Sequence, residues 1–158
     1  LLEGYCANVD IKSNLRYFRT GDEPWQIAFY DLDWAFQTRS NCFFNLIGSE
    51  QTAQIAPTIR WLFGIDDFKE RLLTRYAELT ETTLSDEHVT EKIDEFRALL
   101  APEIARERAH WGGSEEGWNE QVDALRANIA DDYAAHTVRN LCSILGMGEE
   151  ERMEYFGF

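Results

Sequence analysis

Two short stretches carry the residues best suited to chemistry. Asn8-Val9-Asp10-Ile11-Lys12-Ser13-Asn14 offers a carboxylate and an amide four residues apart, and Tyr30-Asp31-Leu32-Asp33-Trp34 offers two carboxylates in a D-x-D. Carboxylate and amide oxygens gathered in one place form a hard-oxygen site suited to Mg2+ or Mn2+. A carboxylate left off the metal can orient a hydroxyl nucleophile and take its proton. One Asp and one Asn on the metal, with a second Asp at the acceptor hydroxyl, is the division of labour of phosphoryl transfer. The same residues have a plainer use: Asp10 and Asn14 suit turns, and Asp31 and Asp33 suit the cap of a following segment. D-x-D and D-x-x-x-N are each common, so only their order along the chain adds weight.

That order matters because of what lies between them. Leu15–Arg19 and Trp25–Tyr30 are β-compatible runs separated by the turn-forming Thr20-Gly21-Asp22-Glu23-Pro24, the pattern of a hairpin. Asp10 and Asn14 precede its first strand and Asp31 follows its second, so antiparallel pairing is expected to draw the two groups together. Trp25-Gln26-Ile27-Ala28-Phe29-Tyr30 is almost continuously apolar and predicts a strand covered on both faces. The helices come later. Phe68, Leu72, Tyr76 and Leu79 recur at helical spacing behind Asp66-Asp67. Ser85 followed by acidic residues opens a second helix with the stripe Val89, Ile93, Phe96, Leu100 and Ile104, which Pro102 is expected to kink or split. Gly112-Gly113 breaks the chain. Trp118, Val122, Leu125, Ile129, Tyr133, Leu141 and Leu145 read as a third stripe ended by Gly146 and Gly148, and Glu149–Glu151 start a short terminal helix. Residues 37–58 lack periodicity and read as a loop on the acceptor side.

Composition sets the outer limits. The chain has 158 residues, enough for one domain with a real core, and 44% hydrophobic content with 13% aromatic residues excludes a disordered or low-complexity chain. A net charge of −14 argues against a nucleic-acid partner, because phosphate affinity comes from clustered Lys and Arg. No apolar run reaches the roughly 18 residues of a membrane span. Residues 1–64 carry five basic and seven acidic side chains, and residues 65–158 carry ten and twenty-two, so one domain shows two textures. Cys6, Cys42 and Cys142 form no C-x-x-C and read as buried thiols. His88, His110 and His136 fall on different expected helices without ligand spacing, and Ser49 and Ser143 lack a nucleophile-elbow setting. Trp34, Phe36, Phe43 and Phe44 read as core packing, and Ile55-Ala56-Pro57-Thr58 only faintly suggests the A-P-E that closes an activation segment.

The runs NVDIKSNLRYFR and GDEPWQIAFYDLDWAF resemble the core of the CotH-type kinases, the family of spore coat protein H, distant relatives of protein kinases. An Asp, an Asn opening an aromatic strand, a Gly-Asp turn, a Trp-led strand and a D-x-D follow one another in the family's order. The resemblance implies that Asp10 is the catalytic-loop Asp and that Asn14 is a metal-binding Asn. It also implies that Asp31 is the metal-binding Asp after the strand, with Asp33 sharing or taking that role. Lys12 falls where many serine/threonine kinases keep a Lys near the transferred phosphate. The Asp-to-Asn interval is one residue shorter than in ordinary protein kinases.

The implied fold is α+β, mainly α: a protein-kinase-like C-lobe with a β-hairpin and catalytic loop packed on a helical bundle. No G-x-G-x-x-G is present, and Lys12, Lys69 and Lys92 are the only lysines. Residues 1–158 are therefore expected to be the C-terminal lobe of a CotH-like kinase domain, inactive alone, with the nucleotide-binding lobe upstream. Within it, residues 1–64 hold the catalytic loop, hairpin and following loop, and residues 65–158 the helical part. The implied activity of the intact protein is ATP-dependent phosphorylation of Ser or Thr on a protein substrate, basic or Ser-rich, with Mg2+ or Mn2+ and ATP as cofactors. An extracellular, cell-surface or spore-coat setting goes with the resemblance. The alternative is a kinase-like domain that has lost catalysis and serves in cell-surface binding, adhesion or structure.

Overall fold

The structure is a computed structural model that describes residues 1–10, 16–47 and 56–158. Eight helices and two strands run in the order α1 (Leu2–Tyr5), β1 (Arg16–Phe18), β2 (Gln26–Ala28), α2 (Cys42–Ile47), α3 (Ala56–Phe63), α4 (Asp66–Glu81), α5 (Asp86–Trp111), α6 (Glu115–Ala130), α7 (Tyr133–Leu145) and α8 (Glu149–Phe156) among the described residues. Among the described residues the chain is mainly helical with one small antiparallel sheet, in line with the hairpin pattern, the helical spacing and the fold that the resemblance implies. It divides into two compact units, one formed by Leu1–Ala77 with His136–Phe158 and the other by Glu78–Ala135.

The first unit is built around aromatic rings. Tyr76 is fully buried, meets Phe43 and Phe156 edge-on at centroid distances of 5.9 and 6.3 Å, and donates its hydroxyl hydrogen to Thr137 Oγ1 at 2.7 Å. The aromatic bodies supply apolar area, and the one polar tip is satisfied inside the core. Phe43 lies so close to α1 that a Cβ at Gly4 would run into its ring, which is why a glycine stands there. The chain leading into α2 is tied to α7 twice. Asn41 Nδ2 donates to the Asn140 carbonyl at 3.0 Å, and His136 Nε2 donates to the Arg39 carbonyl at 2.8 Å.

The second unit is a helical hairpin. Arg97 of α5 reaches Asn119 and Asp123 of α6, both at 2.6 Å, and Arg126 of α6 reaches Asp94 of α5 at 3.0 Å, so the two helices run antiparallel. Ser85 and Ser114 cap α5 and α6 by accepting the N–H groups of His88 and Gly117. Asp86 does a second job, accepting the N–H groups of Tyr133 and Ala134 at 3.0 and 2.7 Å and so capping α7.

Several expectations need correction. The hairpin forms as expected, with Arg16 opposite Ala28, Tyr17 opposite Ile27 and Phe18 opposite Gln26, but it is not buried. Trp25 is 64% exposed and Ile27 53%, because a two-stranded sheet of three-residue strands has no layer on either face among the described residues. Pro102 does not split α5, which continues from Asp86 to Trp111, and His88 and His110 therefore share one helix. Of the expected stripe, Ile104 is buried but Phe96 and Leu100 point to solvent, and Thr90, outside the stripe, is buried as well. The third stripe is two helices, α6 and α7, separated at Asp131-Asp132, where Asp132 adopts φ +58°. The stretch read as an acceptor loop contains α2 and the start of α3, with Pro57 in the first turn of α3, where its missing N–H costs nothing. Trp34 and Phe44 are about half exposed, so of the four clustered aromatics only Phe43 is a core ring.

Candidate active site

Asp10 sits at the end of a tightly wound entry segment. After α1, the N–H groups of Cys6 and Ala7 meet the carbonyls of Leu2 and Gly4 at 2.8 and 3.2 Å, and the N–H of Asn8 meets that of Glu3 at 3.3 Å. Ala7 takes φ +47°, which turns the chain out of the helix. Asn8 is fully buried, and its Oδ1 accepts the main-chain N–H of Asp10 at 3.1 Å. Asp10 itself is half-buried. Lys12 and Asn14, the other residues expected at this loop, lie outside the described residues, as do Ser49 and Ile55.

The second candidate loop follows β2. Asp31 is exposed and holds φ +58°, a left-handed conformation that costs an L-residue about 1–2 kcal/mol and that Asp and Asn tolerate best. Asp33 is exposed too, and its carbonyl accepts from Gln37 Nε2 at 2.7 Å. The N–H of Ala35 closes a turn on the Leu32 carbonyl at 2.9 Å. Phe36, again at positive φ (+59°), then donates its N–H to the carbonyl of Cys6 at 2.6 Å, while its ring meets Tyr5 edge-on at 6.1 Å. The D-x-D loop is thereby stitched to the segment that presents Asp10. Left-handed backbone at an aromatic residue is a genuine outlier, and such strain persists only where surrounding contacts over-determine it.

The electrostatics of the entry segment follow from burial. Burial pushes the Glu3 carboxyl above its ordinary value, against a smaller opposing effect from the hydrogen bond it accepts from Asn8 Nδ2 at 3.0 Å. Burial, reinforced by the nearby Glu3 charge, pushes the Cys6 thiol up to about 12. A thiol so protonated is no nucleophile, which leaves Cys6 a packing residue. All three cysteines are buried free thiols, as their spacing suggested.

No group of three His, Cys, Asp or Glu side chains among the described residues forms a cage for a metal ion. A Mg2+ site needs less than that. Mg2+ keeps several waters and takes one or two carboxylates plus substrate phosphates. The exposed carboxylates of Asp31 and Asp33 are donors of the right chemistry, so the residues present fit a hydrated Mg2+ held jointly with a phosphate. Glu3 and Asn8 are the residues that sequence reasoning passed over. The available signal was Asn8 itself, two residues before Asp10, since Asn side chains commonly bond the backbone two residues on.

A family model described as CotH kinase protein matches residues 2–134, which spans both candidate loops. Neither the curated proteins nor the solved structures give a match. No helix among the described residues is long and apolar enough to cross a membrane.

Proposed function

The chain belongs to the CotH kinase family, and on that premise we propose that it supplies the catalytic and metal-binding loops for ATP-dependent phosphorylation of Ser or Thr hydroxyls on a protein. The hydroxyl oxygen attacks the γ-phosphorus, the bond from that phosphorus to the β–γ bridging oxygen breaks, ADP leaves, and the hydroxyl proton passes to the carboxylate of Asp10. Asp31 and Asn14 are the metal-holding residues in this reading, with Asp33 able to share or take the role of Asp31, and Lys12 is the cation directed at the transferred phosphate. Mg2+, when bound with ATP, neutralises phosphate charge. The net charge of −14 favours a basic substrate by steering it in.

One observation carries the proposal. The 2.6 Å bond from Phe36 N–H to the Cys6 carbonyl ties the segment leading to Asp10 to the one that carries Asp31 and Asp33, and Asp31 itself holds a backbone conformation suited to few residue types. The competing reading is a kinase-derived domain without catalysis that binds partners at a cell surface. It has the exposed aromatic hairpin in its favour: Tyr17, Trp25, Ile27 and Phe29 all face solvent. Calorimetric titration of Mg2+-ATP, paired with a phosphate-transfer assay on the full-length protein, separates the two. Asp10→Asn should leave nucleotide binding nearly intact and cut turnover about 10²–10⁴-fold. Asp31→Asn should lose binding and transfer together, and Asp33→Asn decides which D-x-D carboxylate holds the metal. Equal binding and activity in all three variants would refute the kinase reading and leave the binding module.

A further inference from the structure

We propose that Asn8 is a positioning residue for Asp10, anchored by Glu3, an inference that rests on Asp10 being the catalytic carboxylate. A buried primary amide is costly unless both of its ends are satisfied. Asn8 is 0% exposed, and both ends are used: Nδ2 donates to Glu3 Oε2 at 3.0 Å, and Oδ1 accepts the Asp10 N–H at 3.1 Å. The amide orientation follows from the chemistry of its partners. A main-chain N–H only donates, so the Asp10 N–H must face the amide oxygen, and the NH2 group is left to donate to Glu3.

Glu3 is itself fixed. It is buried on α1, one residue before the glycine against which the Phe43 ring packs, and its carbonyl accepts the N–H of Asn8 at 3.3 Å. Asn8 is thus held at main chain and side chain by one helical turn, and it passes that rigidity to the backbone of Asp10 through a single hydrogen bond. The Cys6 carbonyl, two residues before Asn8, receives the Phe36 N–H from the D-x-D loop. One turn of chain therefore references both candidate loops. A group that must meet a hydroxyl in one geometry gains from such fixing, since a misplacement of about 1 Å can cost on the order of 10²-fold in rate.

The test uses the full-length protein and four variants: Asn8→Ala, Asn8→Asp, Asn8→Asp combined with Glu3→Gln, and Asp86→Ala as a destabilised control far along the chain. Hydrogen exchange of the peptide containing the Asp10 amide, kcat and KM for ATP per folded molecule, and Tm are measured for each. Asn8→Ala should speed exchange of the Asp10 amide at least about tenfold and lower kcat about 10²-fold, with KM for ATP held within about threefold. Asn8→Asp sets two carboxylates against each other and should also lower kcat. Adding Glu3→Gln supplies a donor to the new carboxylate at position 8, which still accepts the Asp10 N–H, and should recover most of the exchange protection and of kcat. Asp86→Ala should lower Tm and leave kcat per folded molecule unchanged. A purely structural Asn8 would lower Tm with kcat per folded molecule intact, and that result overturns the inference. If Asn8→Ala does not fold, the inference stands or falls on recovery in the double variant. An Asp10→Asn protein with unchanged kcat would refute the catalytic reading itself, whatever the exchange data show.

Discussion

Asp31 lets the cost of a backbone conformation be separated from the use of a charge. Its φ is +58°, and its side chain is exposed, so substitutions there change backbone strain without leaving a cavity. Left-handed backbone costs an L-residue about 1–2 kcal/mol, and Asp and Asn bear less of that cost because their short polar side chains bond locally. Asp31→Ala should therefore lose about 1 kcal/mol, and Asp31→Val, with branching at Cβ, about 2 kcal/mol. Asp31→Gly removes the steric clash but gains unfolded-state freedom worth about 0.5–1 kcal/mol, so the two effects nearly cancel. Asp31→Asn should be neutral. At roughly 2–4 °C per kcal/mol for a protein of 150–250 residues, scanning calorimetry of this chain should show Tm lowered by about 2–4 °C for Ala and about 4–8 °C for Val. Asn and Gly should stay within about 2 °C.

Affinity for Mg2+-ATP should follow a different order. Every one of these substitutions removes the same formal charge, so all four should bind more weakly than Asp31 by at least the 10–100-fold that losing an outer-shell partner of a metal already costs. Stability should thus rank Asp, Asn and Gly together above Ala and Val, while affinity in the full-length protein should rank Asp above all the rest. The two orders do not coincide, which is what makes the series informative. An Ala variant melting within 1 °C of the parent would show that no strain is stored at position 31. An Asn variant binding within about threefold of the parent would show that the metal does not use Asp31.

Two further outcomes test other parts of the chain. Because burial raises the Glu3 carboxyl above its ordinary 4.5, the folded state holds that proton more tightly than the unfolded chain does, and stability must fall as pH rises from about 4.5 through the raised value. Glu3→Gln should remove this falling limb, so the Tm of the variant should gain on the parent from pH 4 to pH 7; a constant difference across that range would show that Glu3 does not titrate in the folded state. Asp86→Ala removes the two acceptors for the N–H groups of Tyr133 and Ala134 and should cost about 1–2 kcal/mol, or about 2–8 °C in Tm, with Asp86→Asn losing about half as much. Equal melting of all three proteins would mean that solvent caps α7 as well as Asp86 does.

What could be read in advance was whatever depends on local residue type. The hairpin is legible because Gly21 in its turn takes φ +57° and the flanking runs are apolar enough to pair, and α5 begins where Ser85 can cap it. Burial is not local. Nothing in Trp25–Tyr30 says whether another layer will lie on it, since apolar residues cover much of any protein surface as well as its core. Pro102 breaks a helix in isolation, at about 3 kcal/mol, but α5 is held on both sides of it by Arg97, bonded to α6, and by buried Ile104, and the helix survives. The break between α6 and α7 is equally hidden, because the apolar stripe runs on across it and the residue that caps α7, Asp86, lies 47 positions before Tyr133.

The candidate site divides along the same line. Asp10, Asp31 and Asp33 stand out because a carboxylate advertises its chemistry by its identity alone. Asn8 has ordinary turn chemistry on paper, and only the fold shows its amide buried between Glu3 and the Asp10 N–H. The stitch between the loops is harder still, because it runs from one main-chain N–H to one main-chain carbonyl, groups that nearly every residue carries. Phe36 and Cys6 could be replaced by many pairs without losing that bond in principle, so no reading of side chains could have located it. It is visible only once the chain is folded, when it ties the segment leading to Asp10 to the residues that follow the D-x-D.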